Sequence, residues 1–593
     1  MSALASHARR TAHAVHLLLA GALLASAVVA AGPGRAHADT APPPASGATV
    51  YQAEDGTLHG VVVATDEPGY QGTGYVEGFD DGADSVTISV PNSPGGLFAL
   101  SVRYRSPFGE KKASLLVNGS GIGEVDLPGT DSGFADAQAG KVLLTAGANT
   151  VTVQSDWGWY GIDSISLAPV PPRAPHAVTG ALTDPRATPQ ARSLMSYLTS
   201  QYGRNLLSGQ QDSASEQAVE GITGRAPAIE GLDLMDYSPS RVERGTNSQE
   251  IENALAWNAR GGIVSLVWHW NAPTDLIDQP GKEWWRGFYT DATTFDVAAA
   301  LADPTSADYQ LLLRDIDAIA VQLGRLQDAG VPVLWRPLHE AEGGWFWWGA
   351  KGAGPAKALY RLMYDRLTNV HHLHNLIWVW NSVDPAWYPG DDVVDIVSAD
   401  SYPAAGDHGP VALTYDRLLS LGNDTKPAAL AEVGSVPDPE LTRAYQADWS
   451  YFVTWSGDYV TDGTSNSAGF LRRVYNDDQV ITLDELGDFT HDGGCRADFQ
   501  VLSRWSGNYL AQVTVHNTGS KPIRNWQVGW RLRPGSDVTQ SWNASFATTG
   551  GSVRATAESW NGTLDPGATA VFGYLGTDPG SGSALPAPSC SAA

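Results

Sequence analysis

Eight short apolar runs alternate with helical stretches through the middle of this chain, and no other feature constrains its fold as strongly. The runs cover 206–210, 227–232, 263–269, 331–336, 376–380, 395–399, 428–432 and 452–455. Stretches such as 309–326 carry helical spacing between them. Strands buried on both faces read as continuous apolar runs, and strand–helix repeats build parallel sheets. Eight such units in roughly 300 residues fit a (β/α)8 barrel.

Two of the runs deliver a glutamate. Glu340 follows the fourth run through Pro337, Leu338 and His339, and Glu432 ends the seventh. Strands four and seven face each other across the mouth of an eight-stranded barrel, at the end where active sites collect. Two carboxylates meeting there amid many tryptophans are the equipment for cutting a glycosidic bond: one protonates the leaving oxygen, the other attacks or activates water. Trp335, Trp345, Trp347 and Trp348 flank Glu340 in the chain, and apolar walls favour a protonated carboxyl. Glu340 is therefore the expected acid/base. Glu432, on a run of small residues, is the expected nucleophile, about 5–6 Å away as retention of configuration requires. In the plainer reading each glutamate caps a strand or pairs with a cation such as Arg336.

The chain has 593 residues, too many for one core. It holds 37 Lys plus Arg against 64 Asp plus Glu, a formal charge of −27. That balance argues against nucleic acid or an anionic membrane as partner. Its 21 Trp suit stacking on the C–H faces of sugars as well as large cores. At the start, Arg9 and Arg10 precede an apolar stretch, 15–31, and Ala36-His37-Ala38 offers a small-x-small cleavage site. Residues 1–38 thus read as an export signal of a secreted, extracellular protein. Two cysteines, Cys495 and Cys590, bracket a C-terminal segment and suggest one disulfide closing it.

Pro-rich punctuation divides the rest. Residues 49–168 alternate apolar and polar residues in short runs, the pattern of an antiparallel β-sandwich, and 495–590 repeat that style. Residues 169–176 form a stiff, extended Pro-rich spacer ahead of the barrel at 177–486. The expected architecture is a multi-domain chain: a (β/α)8 TIM barrel flanked by two antiparallel β-sandwich modules. His371, His372 and His374 lack partners at ligand spacing and read as structural.

The middle segment, about 185–485, resembles glycoside hydrolase family 26, whose usual activity is endo-β-1,4-mannanase. The likeness rests on Trp335-Arg336-Pro337-Leu338-His339-Glu340, on 344–349 (GWFWWG), on Leu430-Ala431-Glu432-Val433-Gly434, on Trp268-His269-Trp270-Asn271 and on Asp400-Ser401-Tyr402-Pro403. The resemblance implies acid/base Glu340 and nucleophile Glu432, with no cofactor for catalysis. It implies that Arg336 and His339 orient carboxylates and bind the sugar before the cut, that Trp345 stacks that sugar, that Tyr402 holds the nucleophile, and that His269 and Trp270 line the cleft. Family members often carry Asn after the acid/base; here Ala341 follows, so that sugar contact is missing or supplied by Glu342. A β-glucanase or β-xylanase on the same scaffold, and a non-catalytic polysaccharide-binding protein, are the rival functions.

Residues 495–590 resemble family 2 carbohydrate-binding modules, typically cellulose binders, through the two cysteines, Trp526-Gln527-Val528-Gly529-Trp530, Trp542-Asn543-Ala544 and Trp560-Asn561-Gly562. Trp505, Trp542 and Trp560 match the planar strip that stacks on glucan. Trp526, Val528 and Trp530 share one strand face and are expected in the core. Residues 49–168 look like a family 35 or family 6 module, through Tyr51-Gln52-Ala53-Glu54 and Trp159-Tyr160-Gly161-Ile162-Asp163. By resemblance Gln52, Glu54 and Asp163 hold a structural Ca2+, and Trp157 or Trp159 stacks on mannan. The expected partners are β-mannan and cellulose, with no nucleic acid and no membrane, for a monomer.

Overall fold

The computed structural model describes residues 47–591 apart from 179, 487–488, 490–494, 506, 518–521, 533–534, 550–551 and 578–587, and the expected export signal at 1–38 falls outside them. Eight parallel strands close into a barrel: β1 (Gly209–Gln211), β2 (Ile229–Asp233), β3 (Ile263–Val267), β4 (Val333–Arg336), β5 (Leu376–Asn381), β6 (Ile396–Ser401), β7 (Ala428–Val433) and β8 (Phe452–Thr454). Each pairs with its sequence neighbours, and Gln210 beside Thr454 joins β1 to β8. All eight apolar runs become barrel strands. The first splits, because Leu206–Leu207 pair with Val480–Ile481 while β1 starts at Gly209. Ser208 makes the break, donating both its N–H and its hydroxyl to the Ile481 carbonyl.

Alternation sorts the strand residues. Ile229, Ile263, Leu334, Ile377, Val379, Ile396, Ala429 and Val453 form one buried cluster in the lumen. The helix Pro189–Gln201, capped by the Thr188 hydroxyl, closes its lower end with Ala191, Leu194, Met195 and Leu198. The intervening residues, Val264, Leu266, Val333, Trp335, Trp378, Trp380, Val397 and Leu430, pack outward against the helices. Each buried aliphatic contributes about 1.5–3 kcal/mol, which offsets the cost of a polar upper layer. That layer follows from the same period of two: Leu334 leads to Arg336, Val379 to Asn381, and Ser398 to Asp400.

Strand β7 departs from the period. Against β6, Ala399 pairs with Leu430 but Asp400 pairs with Glu432. Against β8, Phe452 pairs with Leu430 and Thr454 with Val433. Ala431 is thus an extra residue, a β-bulge, and it reverses the alternation beyond it. Without it Glu432 would share the outward face of Leu430; with it the carboxylate enters the lumen mouth.

The N-terminal module is a nine-stranded antiparallel sheet folded across two long strands, Ser85–Arg105 and Ala135–Trp157, around a core that includes Val86, Leu100, Leu115 and Val153. The C-terminal module packs two four-stranded antiparallel sheets around Trp526, Val528, Trp530, Phe572 and Tyr574. Cys495 lies in one of those sheets, Cys590 in the other, and a disulfide joins them.

The Pro-rich segment is not a free spacer. Arg173 donates to the Gln446 carbonyl at 2.9 Å and reaches Asp416 at 3.3 Å. His176 meets Asp424 at 2.6 Å and Asp448 at 3.3 Å. From the N-terminal sheet, Lys141 pairs with Asp416 at 2.9 Å and the Leu143 N–H donates to the Tyr445 hydroxyl at 3.2 Å. Lys141, Arg173 and His176, facing three barrel aspartates, hold the segment along the barrel's flank.

Candidate functional site

Three carboxylates meet at the upper end of the barrel. One oxygen from each of Glu340, Asp400 and Glu432 lies within 4.8 Å of the others. Arg336, at the end of β4, spans two of them: one terminal nitrogen donates to Asp400 at 2.8 Å and the other to Glu432. The second oxygen of Glu432 accepts the Tyr402 hydroxyl at 2.5 Å. Asn381, at the end of β5, donates to Asp400 at 2.7 Å and accepts the Glu340 N–H at 3.0 Å. Trp345 folds back over Gly343, where a Cβ would stand 2.1 Å from the indole, and donates its ring N–H to Glu340 at 2.8 Å.

Glu340 sits on the 3-10 turn after β4 with a left-handed backbone, φ 53°, as does Leu338 at φ 52°. Neither is glycine, and such residues cost about 1–2 kcal/mol each. Strain held in this way belongs to sites whose surroundings over-determine the conformation.

The protonation pattern follows from burial and charge. Burial pushes Glu340 up, and the charge of Glu432 adds to that. Burial likewise pushes Asp400 well up, with Arg336 opposing and Glu432 reinforcing. Crowding and burial thus favour holding a proton within this group of carboxyls. Burial works against a charged His269, but Asp233, 2.7 Å from its Nδ1, overrides it and raises the imidazole. His339 is driven well below the ordinary histidine range by burial, by His269 and by Arg336. His269 and His339 meet Nε2 to Nε2 across 3.1 Å, one donating and the other accepting. His339 Nδ1 is buried and has no hydrogen-bond partner among the described residues.

Among the residues singled out from sequence, Arg336, His339, Glu340, Trp345, Tyr402, Glu432 and His269 come together here. Trp345 and Tyr402 are well exposed, 46% and 40%. Trp270 corrects the expectation that it lines the cleft: it is wholly buried, stacks on Trp268 with centroids 4.3 Å apart, and donates to Asp315 at 2.9 Å. Its neighbour His269 faces the site, so alternation along the extended chain turns Trp270 outward from the barrel axis. Glu342 is also committed elsewhere, accepting from Ser382 Oγ at 2.5 Å and from the backbone N–H groups of Asp384 at 2.8 Å and Val383 at 3.2 Å. Asp400, Asn381, Asp233 and Trp455, whose ring lies 6.0 Å from His269, were not marked as site residues. Asp400 carried a signal, standing two residues before Tyr402 at the end of an apolar run.

In the N-terminal module Trp159 is 64% exposed at φ 78°, pinned by its N–H on the Phe79 carbonyl, and its ring stands edge-on to exposed Phe108. The Trp157 side chain lies outside the described residues. Gln52 Oε1, Glu54 Oε2 and Asp163 Oδ2 are buried oxygens without a hydrogen-bond partner among the described residues, although Arg103 forms an ion pair with Asp163 at 3.1 Å. A Cβ on Gly72 would stand 2.2 Å from Glu54 Oε1 and 3.0 Å from Gln52 Oε1, so those two side chains crowd the same glycine. Burial pushes Asp163 up to about 6. Hard oxygen donors of this kind fit Ca2+. In the C-terminal module Trp505, Trp542 and Trp560 are exposed, and Trp542 lies flat on Gly573, where a Cβ would stand 2.2 Å from the ring. His371 pairs with Asp317 and His374 with Asp184, each at 2.6 Å.

Comparison with known families matches residues 183–485 to glycosyl hydrolase family 26, 49–170 to carbohydrate-binding module family 35 and 495–592 to a cellulose-binding domain. A mannan endo-1,4-beta-mannosidase of Thermothelomyces thermophilus is 51% identical over 478 residues, 80% of this chain and 98% of that protein. Mannan endo-1,4-beta-mannosidase B of Piromyces sp. is 34% identical over 454 residues, 74% of this chain and 77% of that protein. The crystal structure of a Podospora anserina GH26-CBM35 beta-(1,4)-mannanase superposes with a TM-score of 0.57 at 52% identity, covering 75% of this chain and 100% of that one. A ruminal GH26 endo-beta-1,4-mannanase gives a TM-score of 0.59 at 29% identity, covering 74% and 98%.

Proposed function

The chain belongs to glycosyl hydrolase family 26 and is an endo-β-1,4-mannanase, and on that premise we propose that it cuts mannan, galactomannan and glucomannan by double displacement with retention of configuration. The observation that carries this reading is the approach of Glu340 and Glu432 to within 4.8 Å at a carboxylate oxygen. Retaining enzymes hold the two groups about 5–5.5 Å apart, whereas inverting ones leave about 6.5–9.5 Å for a water.

Glu432, its two oxygens held by Arg336 and Tyr402, attacks the anomeric carbon. The bond to the leaving oxygen breaks as Glu340 transfers its proton to that oxygen. Esterification removes the charge of Glu432, and with it one of the causes that keep Glu340 protonated, so Glu340, having given up its proton, stays ionised and is available as the base. It then takes a proton from water, which attacks the anomeric carbon and releases Glu432. His339, buried with its Nδ1 out of reach, supports the floor of the site for the sugar before the cut, and Trp345 is a stacking surface for that sugar.

The N-terminal module, 49–168, holds mannan through Trp159, and Gln52, Glu54 and Asp163 hold Ca2+, which braces that sheet. The C-terminal module, 495–590, holds cellulose through Trp505, Trp542 and Trp560. Tethering of this kind raises local substrate concentration without altering the chemistry. The protein is exported through residues 1–38 and acts as a monomer in the extracellular medium.

Proton NMR of freshly released mannooligosaccharide tests the chemistry: the β-anomer should appear first, and initial α-anomer would overturn the double displacement. Initial rates on galactomannan, barley β-glucan and xylan test the substrate class, with a faster rate on either of the last two contradicting it.

A further inference from the structure

Nothing in the Pro337-Leu338-His339-Glu340 segment makes a left-handed backbone cheap, since it lacks glycine. The restraint comes from outside. The Glu340 N–H is caught by Asn381 Oδ1 at 3.0 Å, and the His339 carbonyl by the Trp348 indole at 2.9 Å. Asn381 can accept there because its amide nitrogen is committed to Asp400 and, at 3.2 Å, to Ser398. Two residues beyond Glu340, the Glu342 carboxylate takes three hydrogen bonds from the consecutive residues Ser382, Val383 and Asp384. Gly349 closes the turn from above, its missing side chain leaving room for the Ala341 carbonyl, which would stand 1.9 Å from a Cβ.

We propose that Glu342 is a positioning residue for proton transfer: by gripping residues 382–384 it fixes the turn that aims the Glu340 carboxyl at the leaving oxygen. Its three bonds take up most of the roughly four acceptor sites of the carboxylate. Three hydrogen bonds to one carboxylate are enough to hold two strained residues. Loss of that grip lets the acid drift, and misplacement by about 1 Å costs up to about 100-fold in rate. The proposal rests on Glu340 being the acid/base.

The test uses two substrates that differ in their need for a proton. The glycosidic oxygen of a mannooligosaccharide is a poor leaving group, whereas 2,4-dinitrophenolate leaves unaided. Glu342→Ala should lower kcat/KM on mannohexaose by about 10–100-fold and on 2,4-dinitrophenyl β-mannobioside by less than about threefold. Ser382→Ala, which removes only one of the three bonds and keeps the fold, should show the same split at smaller size. Glu340→Gln is the control. If it too spares the dinitrophenyl substrate, the acid/base reading stands; equal loss on both substrates overturns that reading. With the control behaving as expected, an equal loss on both substrates for Glu342→Ala and Ser382→Ala overturns the positioning role, as does no loss on either.

Discussion

The Trp345 indole donates to the Glu340 carboxylate across 2.8 Å, a side-chain hydrogen bond that opposes the burial of that group. The bond stabilises the charged form. Trp345→Phe should therefore raise the proton affinity of Glu340 further and move the alkaline limb of the kcat/KM profile to higher pH. A bond to a charged group contributes about 1.5–3 kcal/mol, so the upward move should be measurable. A limb that stays in place, or moves down, counts against Glu340 as the group titrating there.

Arg336 bridges Asp400 and Glu432 with two nitrogens of one planar fork. Lysine carries the charge but offers a single point of contact. Arg336→Lys should cut kcat by about two orders of magnitude, through one lost charge-assisted bond and the carboxylate it leaves free to move. Activity within about threefold of the parent would show that charge alone suffices.

Ala431 adds one residue to β7 against both neighbouring strands. Its deletion should restore strict alternation and send Glu432 toward the helices with Leu430. Activity should vanish while far-ultraviolet circular dichroism keeps its mixed α/β shape. Ala431→Gly, which preserves the count, should retain most of the activity. An active deletion variant would refute the role of the bulge.

Trp270 is buried and hydrogen-bonded to Asp315. Trp270→Phe should leave KM within about twofold and destabilise the protein by about 1–3 kcal/mol, the cost of an orphaned buried acceptor. An unchanged melting temperature with a raised KM would return Trp270 to the cleft.

Asp163 is raised above its unfolded value, to about 6. A raised carboxyl binds protons more tightly in the folded state, so without metal its contribution to stability is present below about pH 4 and lost as pH rises through 6. Ca2+ requires the ionised form, so its stabilising effect should grow above pH 6. Calcium at 100 times its Kd should add about 2.7 kcal/mol to the N-terminal module at pH 7.5, less at pH 5, and nothing to Asp163→Asn. A calcium effect independent of pH would dissociate the metal from Asp163.

The barrel was legible because its signal is local: each apolar run and the helix after it declare themselves within a few tens of residues. Glu340 and Glu432 were legible because each stands at the end of such a run. The inward aim of Glu432 was not, since plain alternation from Ala428 to Val433 places it with Leu430 and only pairing with β6 and β8 reveals the bulge. Trp270 misled for a related reason: it adjoins His269, but adjacent residues of an extended chain face opposite ways. Asn381 and Asp400 matter through each other and through Arg336 on a third strand, a relationship spread over 64 residues of sequence. Glu342 could be read only as a sugar contact while the partners at 382–384 were unseen.

The clamp on the Pro-rich segment has a mechanical outcome. Lys141, Arg173 and His176, each paired with a barrel aspartate, tie the N-terminal sheet and the segment after it to the barrel. A flexible tether would let a captured chain sample every heading and enter the cleft by chance. A joint held at these contacts narrows the bearings that the cleft presents to whatever that sheet grips.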